Sequence, residues 1–323
     1  MSKKEVIGWI FSIIVLVLLF LMSSTDILIK EKVAEILPVS VIIRNDSDRF
    51  YQNFKKGMEQ AAKDYSVDVS FITLYENNDS RQQQQIIKRE LEDGARALVL
   101  VPVNDRDVRK MIESGQITRP LVIIDSQPGA DLNVSDISID YYEAGKMAAC
   151  GLAEKTPAGI PVWILTEGLD YGPNNQAYEG AMEILGQQGY ECKLVSRENG
   201  DTFRQVIEGT VYPKNRPAAV LAIDGISLSE AAQILEKSTV YQQNITGLYG
   251  IGATVEALNY MDKEIIDGLV AYSQYDSGYL SIQKAVEMIK NPGIRAVEPL
   301  KMYYIEKKDL RDKRYEKMLY PIE

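Results

Sequence analysis

"VIIRNDSDRFYQNFKKGMEQAAKDY", Val41–Tyr65, decides the fold of this chain. An apolar run ends in a polar turn, and a helix with apolar residues at helical spacing follows. Phe50 and Tyr51 stand at the mouth of that helix, off its apolar stripe. The same unit recurs downstream. "VDVSFITLY" reads as a strand before a helix from Arg81 to Glu92, and "ALVLVPV" as a strand before a helix from Asp105 to Glu113; "PLVIID" is the next strand. The pattern then restarts at "YYEAGKMAACGLAEK" and passes through the strands "IPVWILTE", "YECKLVSRE", "AAVLAID", "ITGLYGIG" and "GLVAYSQ", with helices between them. A helix "GYLSIQKAVEMIK" and a strand "PLKMYYIEK" close the chain. Wholly apolar strands alternating with helices predict parallel sheets covered on both faces. Two such series predict an α/β protein of two lobes.

Composition narrows the function. With 36 Lys and Arg against 46 Asp and Glu, the net charge is −10 and the cations are dispersed, so nucleic acid is not an expected partner. The chain has no histidine. That excludes a Ser-His-Asp triad, a Cys-His dyad and any His-ligated metal. Cys150 and Cys192 cannot form a CxxC site and are expected to be free, buried thiols, with a pairing between them as the other reading. Asp46, Asp48, Asp79, Asp105 and Asp107 lack the spacing of a calcium loop and read as helix caps and turn residues. No metal, cofactor or catalytic residue is expected, and the chain is not expected to be an enzyme.

The N-terminus reads as a membrane anchor. Residues 1–25 carry Lys3 and Lys4, then 17 uncharged residues from Val6 to Met22. About 20 apolar residues cross a bilayer, and the basic end is expected inside the cell. A cleaved signal peptide is the competing reading, although Ser23-Ser24-Thr25 is a poor cleavage site and no cysteine follows to take a lipid. Residues 26–38 read as a juxtamembrane linker.

Seven segments resemble type I periplasmic binding proteins, the ribose- and galactose-binding group that shares its fold with the effector domain of lac-type repressors. They are "DRFYQNFKKGMEQAA", "DSRQQQQIIKRELEDGARALVLVPVN", "PLVIIDS", "ISIDYYEAGKMAACGLAE", "AAVLAIDG", "GLYGIGAT" and "YSQYDSGYLSIQKAVEMI", in family order from Val39 to the end. The resemblance implies two Rossmann-like lobes joined by three crossovers. Residues 39–139 with 274–293 would form the N-terminal lobe, and 140–273 with 294–323 the C-terminal lobe. Phe50 and Tyr51 match rings that stack on a sugar in the family, although they could instead staple the helix mouth to the core. Asp48 matches its first polar contact, Asp125 its hydroxyl-binding aspartate, and Asp224 a usual Asn or Asp. Ser126, Gln176 and Tyr272 complete the expected ligand set. Ala177 stands where the family has an arginine, Gly252 where it has an aspartate and Tyr272 where it has a glutamine, so the guanidinium clamp is expected to be missing. The resemblance implies an extracytoplasmic receptor for a sugar-like ligand, working with an ABC-type permease in the cell envelope. The alternative is a membrane-anchored sensor that signals to a two-component histidine kinase.

Overall fold

The structure, a computed structural model, describes residues 2–24, 37–44, 51–76, 78–126, 134–197, 200–212, 216–293 and 297–321. Two compact units divide it, 1–36 and 37–323. In the first, helix α1 (Lys3–Ser24) is apolar from Val6 on. Its window Lys3–Leu21 has a mean hydropathy of 2.3, long and apolar enough to cross a membrane. At 1.5 Å per residue such a helix is about 33 Å long, against a hydrocarbon core of about 30 Å.

The second unit holds two six-stranded sheets. Its elements run β1 (Leu37–Ile42), α2 (Gln52–Tyr65), β2 (Val67–Ile72), α3 (Ser80–Glu92), β3 (Ala97–Leu100), α4 (Asp105–Glu113), β4 (Leu121–Ile124) and β5 (Ser135–Ser138). Then follow α5 (Tyr141–Lys155), β6 (Val162–Thr166), α6 (Gly172–Gln187), β7 (Cys192–Ser196), α7 (Phe203–Gly209), β8 (Ala218–Ala222), α8 (Gly225–Glu236), α9 (Thr239–Asn244), β9 (Ile245–Ile251), α10 (Val255–Asp262) and β10 (Gly268–Tyr272). The chain closes with α11 (Gln274–Lys290), β11 (Val297–Pro299), β12 (Met302–Ile305) and α12 (Lys313–Leu319). The first sheet has the order β11-β5-β4-β3-β1-β2 and is wholly parallel. The second has the order β12-β10-β9-β8-β6-β7, parallel except where β12 meets β10. The strands are apolar on both faces because helices cover both, as in Val39, Val41, Leu98, Val99, Ile123 and Ile124, all buried.

Three details differ from the expectation. Segment "SDIS" forms β5, although no apolar run marks it; Ser135, Asp136 and Ser138 are buried there. The expected last strand is two strands in different sheets. Pro299 pairs with Ser138 at the end of β11, and β12 begins at Met302, so residues 297–299 belong to the first sheet and not with the second lobe. Proline has no amide to donate, which suits this edge position. The cysteines are free but not buried, since Cys150 is exposed and Cys192 half-exposed.

Glycine sets how the helices pair. A Cβ at Gly57 of α2 would fall on the carbonyl of Tyr275 in α11, and one at Gly278 of α11 on the carbonyl of Phe54 in α2. The second lobe repeats the device. There Gly145 of α5 meets the carbonyl of Ala177 in α6, and Gly180 of α6 that of Tyr142 in α5. Backbone lies on backbone at both crossings, which any side chain at these glycines would prevent. α11 therefore packs on the first sheet although it follows β10 of the second. Within α6, Gly180 and Gly186 should respond in opposite senses to alanine. Gly180→Ala forces the helices apart and should cost about 1–3 kcal/mol. At Gly186 nothing lies within 4 Å, so alanine should be neutral or gain up to about 1 kcal/mol of helix propensity. Denaturant melts of the two variants check this.

Candidate functional site

The carboxyl ends of both sheets and the mouths of the following helices enclose a cavity of about 120 Å³ open to the centres of water-sized molecules. Strand ends supply Arg44, Val101 and Asp125 from the first sheet, and Glu167, Ile223, Ile251 and Tyr272 from the second. Four tyrosines stand at or beside the mouths of the four helices that cross through glycine. Tyr51 is the N-cap of α2, Tyr141 the first residue of α5, and Tyr171 the N-cap of α6; Tyr272 lies just before Ser273, the N-cap of α11.

Tyr51 staples the helix mouth and also faces the cavity. Its ring packs edge-on against Phe54 and Phe71, at centroid distances of 5.9 and 6.0 Å, and it lines the cavity. Burial raises its hydroxyl pKa. Asp48 and Phe50 lie outside the described residues.

Asp125 ends β4 with φ +54°, the left-handed region, where Asp is tolerated better than most residues. Its amide donates to the Ile137 carbonyl, 3.2 Å. Its carboxyl Oδ1 is occluded from solvent and has no hydrogen-bond partner among the described residues. Burial pushes its pKa up to about 6, partly offset by the Tyr141 hydroxyl, the Arg44 guanidinium and the Tyr272 hydroxyl beside it. Tyr272 thus stands in the cavity next to Asp125, as does Asp224 across it. The Asp224 carboxylate, though, is largely spent on its own lobe. It caps α8 by accepting from the Ser227 amide at 2.8 Å, and it accepts from the Glu167 amide at 2.9 Å.

Ser126 and Gln176 do not reach this cavity. Together with Asp105, Ser138 and Tyr141 they line a smaller pocket beside it. The Ser126 hydroxyl is given to Asp105. Burial raises the pKa of Asp105, and Ser126 and Arg44 work against that rise.

The expected loss of a guanidinium is corrected by Arg44. Ala177 is fully buried, with its carbonyl against Gly145, and leaves no room for an arginine. The cation comes from the other lobe, where Arg44 extends from the end of β1. Asn78 holds it, donating its amide to the Arg44 carbonyl at 3.0 Å and accepting from Nε at 2.9 Å. The guanidinium lies over the Tyr171 ring, 3.7 Å from its centroid. Glu167, Asn174, Thr254 and Gln274 were also missed. Glu167 is raised by burial and by Asp224, and the Arg197 guanidinium, 2.5 Å away, offsets part of this. At Gly252 the φ of +133° and the Cα of Gly225, 3.0 Å from where a Cβ would sit, explain why no aspartate stands there.

A family model described as "Periplasmic binding protein domain" matches residues 39–293. Among curated proteins no sequence matches the chain. Solved structures of the same fold include a carbohydrate transporter solute-binding protein from Agrobacterium radiobacter in complex with D-arabinose. It is 19% identical with a TM-score of 0.75, over 88% of this chain and 99% of that one. A glucose-galactose binding protein from Geobacillus stearothermophilus is 20% identical, TM-score 0.73, over 86% and 99%. An ABC transporter solute-binding protein from Agrobacterium vitis, bound to α-D-tagatopyranose, is 16% identical, TM-score 0.76, over 88% and 100%.

Behind the cavity, Asp136 of β5 is buried with Oδ1 unpartnered among the described residues, and Ser138 donates to Oδ2 at 3.2 Å. Burial, then Asp125 and Asp105, raise its pKa to about 7, against the Ser138 hydrogen bond. An acid whose folded pKa is raised favours the fold most below its unfolded value of 3.8, and that stability is lost as pH rises to about 7. Asp136→Asn should therefore stabilise the chain by roughly 1–3 kcal/mol at pH 8 and by little at pH 4. Melting both proteins at the two pH values checks the sign. By its match over residues 39–293, the chain belongs to the periplasmic binding protein domain family.

Proposed function

We propose that this chain is an extracytoplasmic solute receptor whose two lobes enclose a sugar or sugar-like ligand for an ABC-type transport system. The observation that carries this reading is the cavity between the strand ends, with four tyrosines around an aspartate whose Oδ1 lacks a partner. Ring faces pack on the C–H faces of a sugar, and a ligand hydroxyl is the donor that Asp125 Oδ1 lacks. The sugars named with two of the similar structures, D-arabinose and α-D-tagatopyranose, support the ligand class. In this reading Tyr51, Asp125 and Tyr272 contact the ligand with Arg44, while Asp224 orients the Glu167 loop. Helix α1 anchors the chain, with Lys3 and Lys4 on the cytoplasmic side.

The apolar helix α1, long enough to cross a membrane, favours a second use of the same cleft. Anchored by its own helix, the receptor would signal to a membrane histidine kinase instead of feeding a permease. Crosslinking in membranes separates the two by which partner is captured.

The test is a thermal-shift screen of the protein against sugars, polyols and amino-sugars. A ligand at 100 times its Kd should stabilise the fold by about 2.7 kcal/mol, and Asp125→Ala should abolish most of the shift. Because a ligand hydroxyl donates to the ionised carboxylate, affinity should fall as pH drops below about 6, the Asp125 value, by up to tenfold per pH unit. Titration calorimetry at pH 5 and pH 7.5 measures it. No shift with any compound, or a shift unchanged in Asp125→Ala, would move the site elsewhere.

A further inference from the structure

Tyr171 crosses the cleft. It belongs to the second lobe, in the loop between β6 and α6, yet its closest polar and ring partners are in the first. Its hydroxyl donates to the Asp125 main-chain carbonyl at 2.7 Å. Its ring lies under the Arg44 guanidinium, 3.7 Å from centroid to Cζ. The next residue, Gly172, comes so near the first lobe that a Cβ there would sit 3.0 Å from Asp105 Oδ2. These three partners end β1, end β4 and begin α4, so the mouth of α6 docks on three separate elements of the other lobe. The loop that does this is itself braced, since the buried Asn174 donates to the Gly168 carbonyl at 2.9 Å and to Thr166 Oγ1 at 3.2 Å.

All of these contacts form from protein groups alone. A hydroxylated ligand would use the same two groups differently, accepting from the Arg44 guanidinium and donating to the Asp125 carbonyl through its hydroxyls. We infer that Tyr171 is a tethered occupant of the cleft: it latches the lobes together without ligand and competes with ligand for the Arg44 face. The latch deepens the receptor reading by saying how its site is regulated, and it predicts that closure and ligand occupancy are partly uncoupled. A ligand would have to displace the ring from Arg44 or be small enough to fit beside it.

The experiment measures closure with no ligand present. Spin labels at Gln116→Cys in the first lobe and Lys237→Cys in the second, both exposed positions, report the distance between lobes in the full chain in detergent, with Cys150 and Cys192 replaced by serine. The protein with Tyr171 intact should give one short distance. Tyr171→Ala should add a longer-distance population. Tyr171→Phe keeps the ring and loses only the hydroxyl, so it should lower the closed-to-open ratio by less, about fivefold to tenfold. Identical distance distributions in all three, or an open distribution with Tyr171 intact, overturn the latch. The phenylalanine variant guards against loss of fold, because its melting should match that of the parent to within a few degrees. Since no ligand is in the sample, failure of the latch leaves the receptor reading standing, and failure of the ligand screen leaves the latch standing.

Discussion

Two helix crossings made through glycine hold the rest of this structure in place. Where Gly57 and Gly278 bring α2 onto α11, and Gly145 and Gly180 bring α5 onto α6, helices lie backbone on backbone, so neither pair can slide without a steric cost. Each of the four helices begins at the carboxyl edge of its sheet, and at or beside each mouth is a tyrosine. Fixing the crossings therefore helps to fix where Tyr51, Tyr141, Tyr171 and Tyr272 stand around the cavity. The use of α11 matters most. It leaves the second sheet at Tyr272, crosses to the first lobe and is pinned there against α2, which ties the position of one cleft wall to the packing of the other.

The cost of the cleft is electrostatic. Asp105, Asp125, Asp136 and Glu167 all have raised pKa values, and in each case burial is the leading cause. Arg44 relieves three of them and Arg197 only the last. A core built for stability alone would not bury four carboxyls around so few cations. Asp125 and Glu167 line the cavity itself, whereas Asp105 lines the pocket beside it, and the apolar cores of the two sheets offset their burial.

Strand-helix alternation was legible because every strand covered on both faces is a short apolar run, and the polar turns between them punctuate the pattern. Tyr51, Asp125, Asp224 and Tyr272 were singled out by the family resemblance, at strand ends and helix mouths, and all four line the cavity. β5 was not, because "SDIS" buries polar residues by pairing on both sides and carries no hydrophobic signal. Asp136 stayed hidden with it. Arg44 was missed for a different reason. It directly follows the apolar run "VSVII", so it was in view, but a cation was sought at Ala177 in the other lobe, where the glycine crossing leaves no space. A guanidinium reaching the same cavity from the opposite wall leaves no trace in spacing; only three-dimensional placement reveals it.

The Arg44–Tyr171 stack bears on how such a cleft could carry information. Ligand shifts an open–closed equilibrium only by its difference in affinity for the two states. If protein groups already favour closure, a given ligand changes the closed population less, and the contrast that a membrane partner reads is reduced. A transport receptor tolerates this poorly, because an empty closed form competes for the permease. A sensor tolerates it if its partner reads the geometry around Arg44, which differs according to whether a tyrosine or a ligand lies beneath the guanidinium. The discriminating feature of this chain is then not whether the lobes close but what stands between Arg44 and Asp125 when they do.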